Sequence, residues 1–182
     1  MSYANDHLIF FDTEFTDLDH KKGELISIGL VKMTGETLYL ELPFSGEAHP
    51  WVVEHVIPTL SGSLTPIKEA REKLWDFFGG MDVSADKRPM LVAYVNQFDA
   101  VYWYDLFGSP KDHPAYWIPL DFASMLFAWG YHPNAMGDTR FLNDLGVSRA
   151  AYTHHNALSD AQFLRDVYMA ILAKHQKEKN NT

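Results

Sequence analysis

Two acidic side chains stand two residues apart in an otherwise apolar segment near the start of the chain. Asp12 and Glu14 interrupt the stretch LIFFDTEF, which covers residues 8 to 15. Side chains two apart on a β-strand point to the same face, so a strand here places both carboxylates side by side. Neighbouring carboxylates in apolar surroundings repel each other and lose hydration, unless a cation lies between them. The pair therefore predicts a site for a divalent metal ion.

Two further acids occupy core-facing positions of predicted helices. Asp99, in the predicted helix of residues 97–107, falls on the apolar stripe of that helix. Asp160, in the predicted last helix, lines up with apolar residues four, seven and eleven positions later. Acids normally occupy the polar face of a helix. We therefore expect Asp99 and Asp160 to lie at the same site as Asp12 and Glu14. Carboxylate oxygens that converge in this way are the ligands preferred by Mg²⁺ and Mn²⁺.

A histidine near the last helix is the candidate general base. His155 precedes Asp160 by five residues, which on a continuous helix would separate the two side chains by about 140°. If Asn156 caps the helix, His155 instead lies in the preceding loop, where its imidazole can reach the acids. A neutral imidazole, with a pKa near about 6.5, can accept a proton from an attacking water at neutral pH. His154 is the alternative base, and the spacing to Asp160 favours His155.

Length and composition limit the classes of function. The chain has 182 residues, of which 47% are hydrophobic, and we expect one domain over residues 1–182 with a frayed tail at 176–182. The absence of a long apolar stretch and of a basic-then-apolar start predicts a cytoplasmic protein with no membrane partner. Without cysteine, a metal must be held by oxygen or imidazole. The net charge of -9 argues against a protein that coats duplex DNA, but allows an enzyme that holds one strand end.

The elements that must position these residues follow from the hydrophobic pattern. Three strands at 7–15, 24–33 and 37–42 are predicted in antiparallel hairpin order. A strand at 89–95 and a short one before residue 121 are predicted as parallel additions. Helices are predicted within 49–60 and at 66–78, 97–107, 121–130, 138–146 and 157–174. The fold class is therefore α/β, with a mixed sheet and helices on both faces.

Three segments resemble the sequence motifs of the DEDDh, or DnaQ-like, 3'-5' exonucleases of the ribonuclease H-like superfamily. They are FFDTEFTDL, VNQFDAVYW and HHNALSDA, in that order along the chain. The agreement lies in the Asp-x-Glu opening, the Asn-x-x-Phe-Asp of the second motif and the His-x-Ala-x-x-Asp-Ala of the third. The segments DTEF, ELISIG and WVVEHVIPTL are most similar to the small bacterial RNase AS-like exoribonucleases, which are relatives of RNase T.

The resemblance implies a ribonuclease H-like fold and catalysis with two Mg²⁺ or Mn²⁺ ions. It implies that Asp12 bridges both ions, and that Glu14 and Asp160 complete the ion on the side of the nucleophile. Asp99 would hold the second ion directly or through water. His155 would take a proton from the attacking water, and the product would be a nucleoside 5'-monophosphate.

The same resemblance implies contacts with the substrate. Thr16 and Leu18 would contact the terminal nucleotide, and Phe98 would stack on a base. The first motif differs from the commoner Asp-x-Glu-Thr-Thr-Gly form because it carries Phe15 and Asp17. This difference leaves the metal ligands unchanged but leaves the contacts with the last nucleotide open.

Three other residues have alternative roles. Trp51 and His55 lie one helical turn apart and could line a substrate groove, although an aromatic residue on a short helix is more often used for packing. Arg140, shortly before the third motif, either reaches the substrate or lies on the surface.

We therefore expect a 3'-5' exoribonuclease that binds the 3' end of single-stranded RNA. A DNA exonuclease of the same fold is the alternative. The choice between RNA and DNA depends on a contact with the 2'-hydroxyl, and no motif in the sequence indicates such a contact. A catalytically silent adaptor that binds nucleic acid is the alternative from another class, but it would be expected to lack at least one of the five site residues. The resemblance to RNase T also implies a homodimer.

Overall fold

The computed structural model describes residues 7–109 and 111–180. Within this part of the chain, five strands form one mixed sheet in the order β3-β2-β1-β4-β5. The strands are β1 (Leu8–Phe15), β2 (Leu25–Lys32), β3 (Thr37–Glu41), β4 (Met90–Ala93) and β5 (Leu120–Asp121). The first three pair antiparallel, whereas β4 and β5 join in parallel. This confirms the predicted mixed sheet.

Helices cover both faces of the sheet, as predicted. They are α1 (Pro50–His55), α2 (Ile67–Phe77), α3 (Gln97–Phe107), α4 (Phe122–Ala128), α5 (Thr139–Leu145) and α6 (Ala157–Asn180). Helix α2 begins after Pro66, which has an extended ψ of 142° and occupies the cap position. Among the described residues, no helix is both long and apolar enough to cross a membrane.

Helix α6 is longer than the sequence pattern predicted. It continues to Asn180, six residues beyond the predicted end at Lys174, because this stretch is rich in lysine, glutamine and glutamate, which favour helix. Residues 181–182 of the predicted tail lie outside the described residues. Residues 1–6 also lie outside the described residues.

Alternation along β1 divides the core into two layers. Phe11 points to the face covered by α2 and α3, where its ring lies 5.9 Å from that of Trp103. Phe10 points to the opposite face, which α4, α5 and α6 cover, and packs 5.1 Å from Tyr168. Because side chains two apart share a face, Asp12 continues the side of Phe10, towards α6.

A glycine on β2 lets α6 approach the sheet closely. Gly29 pairs with Asp12 across the antiparallel ladder. A β-carbon on Gly29 would lie 2.2 Å from the backbone of Ala157 and Leu158, so only glycine fits at this position. The first turn of α6 is thereby brought against the strand that carries the acidic pair.

Candidate active site

The five residues selected from the sequence border one cavity. The cavity has a volume of about 640 Å³ and lies along the C-terminal half of β1. Its lining includes the four acids and the histidine, Asp12, Glu14, Asp99, His155 and Asp160. The fold thus brings together side chains from one strand, two helices and one loop.

Three of these residues form a compact set of possible metal ligands. One ligand atom from each of Glu14, His155 and Asp160 lies within 4.8 Å of the others. Asp12 and Asp99 border the same cavity. Carboxylate oxygens suit a hard divalent cation such as Mg²⁺ or Mn²⁺, so the four acids fit such an ion, with the imidazole of His155 close beside them.

The carboxylates at this cavity repel one another, and their pKa values are raised. Burial raises the pKa of Asp12 well above its usual range, and the carboxylates of Asp99 and Glu14 add to the rise. Burial raises the pKa of Glu14 to about 8, with further contributions from Asp160 and Asp99. Burial also raises the pKa of Asp99 to about 7, against the effect of hydrogen bonds from Thr13. A bound cation would stabilise the ionised form of all these groups.

Asp99 is attached to β1 across a long sequence separation. The backbone nitrogen and the hydroxyl of Thr13 donate to its Oδ1 at 2.9 and 2.7 Å.

Nearby, the ring of Phe15 stacks on that of Tyr102, with 4.5 Å between centroids. Phe15, one of the two residues that depart from the commoner motif, therefore packs α3 onto the strand while also bordering the cavity.

The loop before α6 holds His155 in an unusual conformation. His155 has a φ of 58°, which is uncommon for a residue other than glycine. Its backbone nitrogen donates to Oδ2 of Asp160 at 2.9 Å, and its carbonyl accepts from the hydroxyl of Thr59 at 2.8 Å. The side chain of Asn156 accepts from the backbone nitrogen of Ser159 at 3.1 Å, which confirms the predicted cap.

The imidazole of His155 is suited to accept a proton. Burial lowers its pKa from the ordinary value, and the negative charge of Asp160 opposes that shift. The ring is therefore mostly neutral at pH 7, as a general base requires.

Helix α1 forms an aromatic wall against His155. The ring of Trp51 stacks on that of His55 with 4.6 Å between centroids and meets the ring of His155 edge-on at 4.7 Å. His49 caps this helix by accepting from the backbone nitrogen of Trp51 at 3.2 Å, and it also borders the cavity. Of the two residues that could line a substrate groove, Trp51 borders the cavity, whereas His55 is not part of its lining. No sequence pattern indicated a role for His49.

Sequence reasoning missed Arg149. Its guanidinium forms an ion pair with Oδ1 of Asp160. Its positive charge also opposes the rise in the pKa of Asp12. Arg149 lies in a 3-10 turn eleven positions before Asp160, a spacing that no single regular element brings together. No sequence pattern could have indicated the pair.

Of the three residues predicted to contact the substrate, two border the cavity and one does not. Leu18 and Phe98 border the cavity with 66% and 39% of their surface exposed. Thr16 is buried, and its hydroxyl accepts from the backbone nitrogen of Glu24 at 2.8 Å, outside the cavity lining. Arg140 borders a separate cavity, together with Lys174.

Comparison with known proteins gives matches to solved structures. Neither a family model nor a curated protein sequence matches the chain. The structure resembles E. coli exonuclease I in a zinc-bound complex with single-stranded DNA, at 15% identity and a TM-score of 0.63. It also resembles E. coli exonuclease I bound to a dT13 oligonucleotide, at 13% identity and a TM-score of 0.63. These matches cover 94% of this chain and 41% and 42% of exonuclease I, so the chain spans about two-fifths of that protein.

A third similar structure comes from yeast. It is the NOT1 MIF4G domain co-crystallised with CAF1, matched at 14% identity with a TM-score of 0.58 over 93% of this chain and 81% of that chain. At these identities the similarities show the fold. They confirm the predicted ribonuclease H-like α/β class, and the narrower likeness to small exoribonucleases stays a prediction.

Proposed function

We propose that this protein is a metal-dependent 3'-5' exonuclease that hydrolyses single-stranded nucleic acid to nucleoside 5'-monophosphates. The observation that carries the proposal is the convergence of four carboxylates and one imidazole on a single cavity. The similarity of the fold to exonuclease I bound to single-stranded DNA supports it. A structural role for so many inward-facing acids would be costly, because each loses hydration and repels the others.

The carboxylates supply the ligands of the proposed metal centre. Asp12, Glu14 and Asp160 would hold one Mg²⁺ or Mn²⁺ ion, and Asp12 with Asp99 would hold a second. When bound, such ions stabilise the charge that develops on the attacking and leaving oxygens of an in-line displacement at phosphorus. Asp12 and Glu14 share one strand face, and Thr13 fixes Asp99 beside them. The positions of Asp12, Glu14 and Asp99 therefore all depend on β1, whereas Asp160 comes from α6.

His155 is the proposed general base. Its neutral imidazole nitrogen accepts a proton from the attacking water while the water oxygen forms a bond to phosphorus. The bond between that phosphorus and the 3'-oxygen of the preceding nucleotide breaks. The 3'-oxygen takes a proton from solvent and becomes the 3'-hydroxyl of the shortened strand, and the terminal nucleotide leaves with a 5'-phosphate. The ring of Trp51 contacts the imidazole, and the carboxylate of Asp160 accepts from the backbone nitrogen of His155, so both the ring and the backbone of His155 are held in place.

The rim of the cavity suits an unpaired base. Leu18, Trp51 and Phe98 are large apolar side chains that stay exposed there, at 66%, 44% and 39%. An unpaired base exposes a face that can stack on the rings of Trp51 and Phe98, and stacking contributes roughly 1 to 3 kcal/mol per base. The substrate is therefore a single-stranded 3' end.

RNA is the proposed substrate, with DNA as the second candidate. The similarity of the first motif and of the second strand to small exoribonucleases favours RNA. The second candidate is favoured by the exonuclease I structures, which contain single-stranded DNA. A donor or acceptor that contacts the 2'-hydroxyl would separate the two.

The test compares RNA and DNA strands of the same sequence, each labelled at the 5' end and incubated with Mg²⁺. We expect the RNA to shorten stepwise from the 3' end, and Asp12→Ala to abolish the shortening. Asp86→Ala, which removes an exposed acid outside the cavity, is the matched control and should be fully active. Equal degradation of DNA would support the second candidate. No shortening of either strand, or full activity in Asp12→Ala, would overturn the proposal.

A further inference from the structure

Both oxygens of the Asp160 carboxylate are held by donors from the chain. Oδ1 accepts from Nη2 of Arg149, and Oδ2 accepts from the backbone nitrogen of His155 at 2.9 Å. Each carboxylate oxygen has two lone pairs, so one per oxygen is left for a cation. The two donors therefore fix the rotation of the carboxylate without using its capacity to bind metal.

Arg149 is itself held in place. Its guanidinium lies over the ring of Phe163, 4.5 Å from the centroid, and Phe163 is buried one turn after Asp160 on α6. The Arg149 side chain is 22% exposed. Its Nη1 atom is buried and has no hydrogen-bond partner among the described residues, which costs free energy. The Phe163 ring and the ion pair with Asp160 therefore hold the guanidinium in one orientation.

We infer that Arg149 is a positioning residue for Asp160, and that it fixes this carboxylate in the orientation that binds a divalent cation. The inference rests on the proposed function, because it takes Asp160 as a metal ligand. A hydrogen-bond partner of a ligating side chain typically changes metal affinity by about 10- to 100-fold when it is removed. Arg149 acts on the cation through Asp160 and does not contact the reacting atoms.

The test measures Mn²⁺ affinity by calorimetry in the absence of nucleic acid. We expect Arg149→Met to weaken binding by about 10- to 100-fold. Arg149→Lys should weaken it less, because an ammonium keeps the charge but lacks the planar fork of donors. Arg165→Met is the matched control. Its side chain is also 22% exposed, and its guanidinium pairs with Asp166 on α6, away from the acids of the cavity, so its loss should leave Mn²⁺ affinity unchanged.

Thermal unfolding in EDTA shows which variants fold. If Arg149→Met does not fold, the Mn²⁺ affinity of Arg149→Lys tests the inference instead. A wild-type Mn²⁺ affinity in Arg149→Lys then overturns the inference. Unchanged affinity in folded Arg149→Met also overturns it, as does tighter binding, which would make Arg149 a competitor of the cation.

The outcomes separate this inference from the proposed function. Nuclease activity together with unchanged Mn²⁺ affinity in Arg149→Met overturns the inference alone. Mn²⁺ binding that weakens as expected, in a protein that degrades no strand, overturns the proposed function and supports the inference. A wild-type protein that binds no Mn²⁺ overturns both.

Discussion

Gly29 lies in direct backbone contact with Ala157, the first residue of α6. A β-carbon on Gly29 would come within 2.2 Å of the carbonyl carbon of Ala157. Gly29 also pairs with Asp12 in the sheet. One residue without a side chain therefore allows the helix that carries Asp160 to reach the strand that carries Asp12.

The first prediction concerns this contact. In Gly29→Ala the added methyl group forces α6 away from β2, because the atoms that it meets are backbone. We expect the unfolding free energy to fall by about 1 to 3 kcal/mol. We expect the nuclease rate to fall by about 100-fold, since a displacement of about 1 Å at a catalytic group has an effect of this size. Urea denaturation and initial rates on a labelled strand measure the two effects.

Gly137→Ala is the matched control for Gly29→Ala. An added β-carbon at Gly137 would lie 3.9 Å from its nearest neighbour, an ordinary contact, and its φ is outside the left-handed region. This variant should keep wild-type stability and rate. A wild-type rate in Gly29→Ala would contradict the positioning role of the glycine.

The second prediction concerns the stability of the metal-free protein against pH. In the folded protein the pKa of Glu14 is about 8 and that of Asp99 about 7, above their ordinary values of 4.5 and 3.8. At pH values between the ordinary pKa and the raised pKa of each group, the folded state binds more protons than the unfolded state. Stability therefore falls as pH rises through this range. We expect the Tm in EDTA to drop between pH 5 and pH 8, and saturating Mg²⁺ to restore it at pH 8.

Glu14→Gln isolates the contribution of Glu14 to this pH dependence. The substitution keeps the shape of the side chain and removes the buried charge, so we expect a higher Tm at pH 8 and a flatter profile in EDTA. The same variant should lose nuclease activity because a ligand is gone. A profile as steep as that of the wild type would show that Glu14 does not titrate in this window.

Residue patterns predicted which way side chains point, and they were reliable for that. Alternation along β1 placed Asp12 and Glu14 on one face, and the apolar stripes of α3 and α6 turned Asp99 and Asp160 towards the same cavity. Contacts between separate elements could not be predicted in this way. The bond from Thr13 to Asp99 spans 86 positions, and the Arg149 pair crosses a loop with no periodic signal. Each depends on how helices pack on the sheet, which a local pattern does not encode.

The third prediction concerns the general base. His155→Asn should lower kcat by about 100- to 10,000-fold while the protein still folds and binds Mn²⁺. Asparagine tolerates the left-handed backbone of this position, where φ is 58°, so the loss reports the imidazole. His154→Asn is the control and should keep near wild-type kcat. The opposite order of the two variants, measured under saturating substrate, would assign the base to His154.

The fourth prediction concerns the rim of the cavity. Phe98→Ala removes an exposed ring beside the acids, and loss of one stacked base should raise KM by about 5- to 150-fold, equivalent to roughly 1 to 3 kcal/mol. Phe127→Ala removes an exposed phenylalanine of α4 that does not border the cavity, and its KM should not change. Equal KM values for the two variants would place the terminal base elsewhere.

The most direct test follows the oxygen of the attacking water. A single turnover on a single-stranded RNA is run with Mg²⁺ in water enriched in the heavy isotope of oxygen, and the released mononucleotide is analysed by mass spectrometry. If His155 and the four carboxylates activate water against the last phosphodiester, the product is a nucleoside 5'-monophosphate with one heavy oxygen in its phosphate. An unlabelled monophosphate, or a product with a 3'-phosphate, would contradict this mechanism.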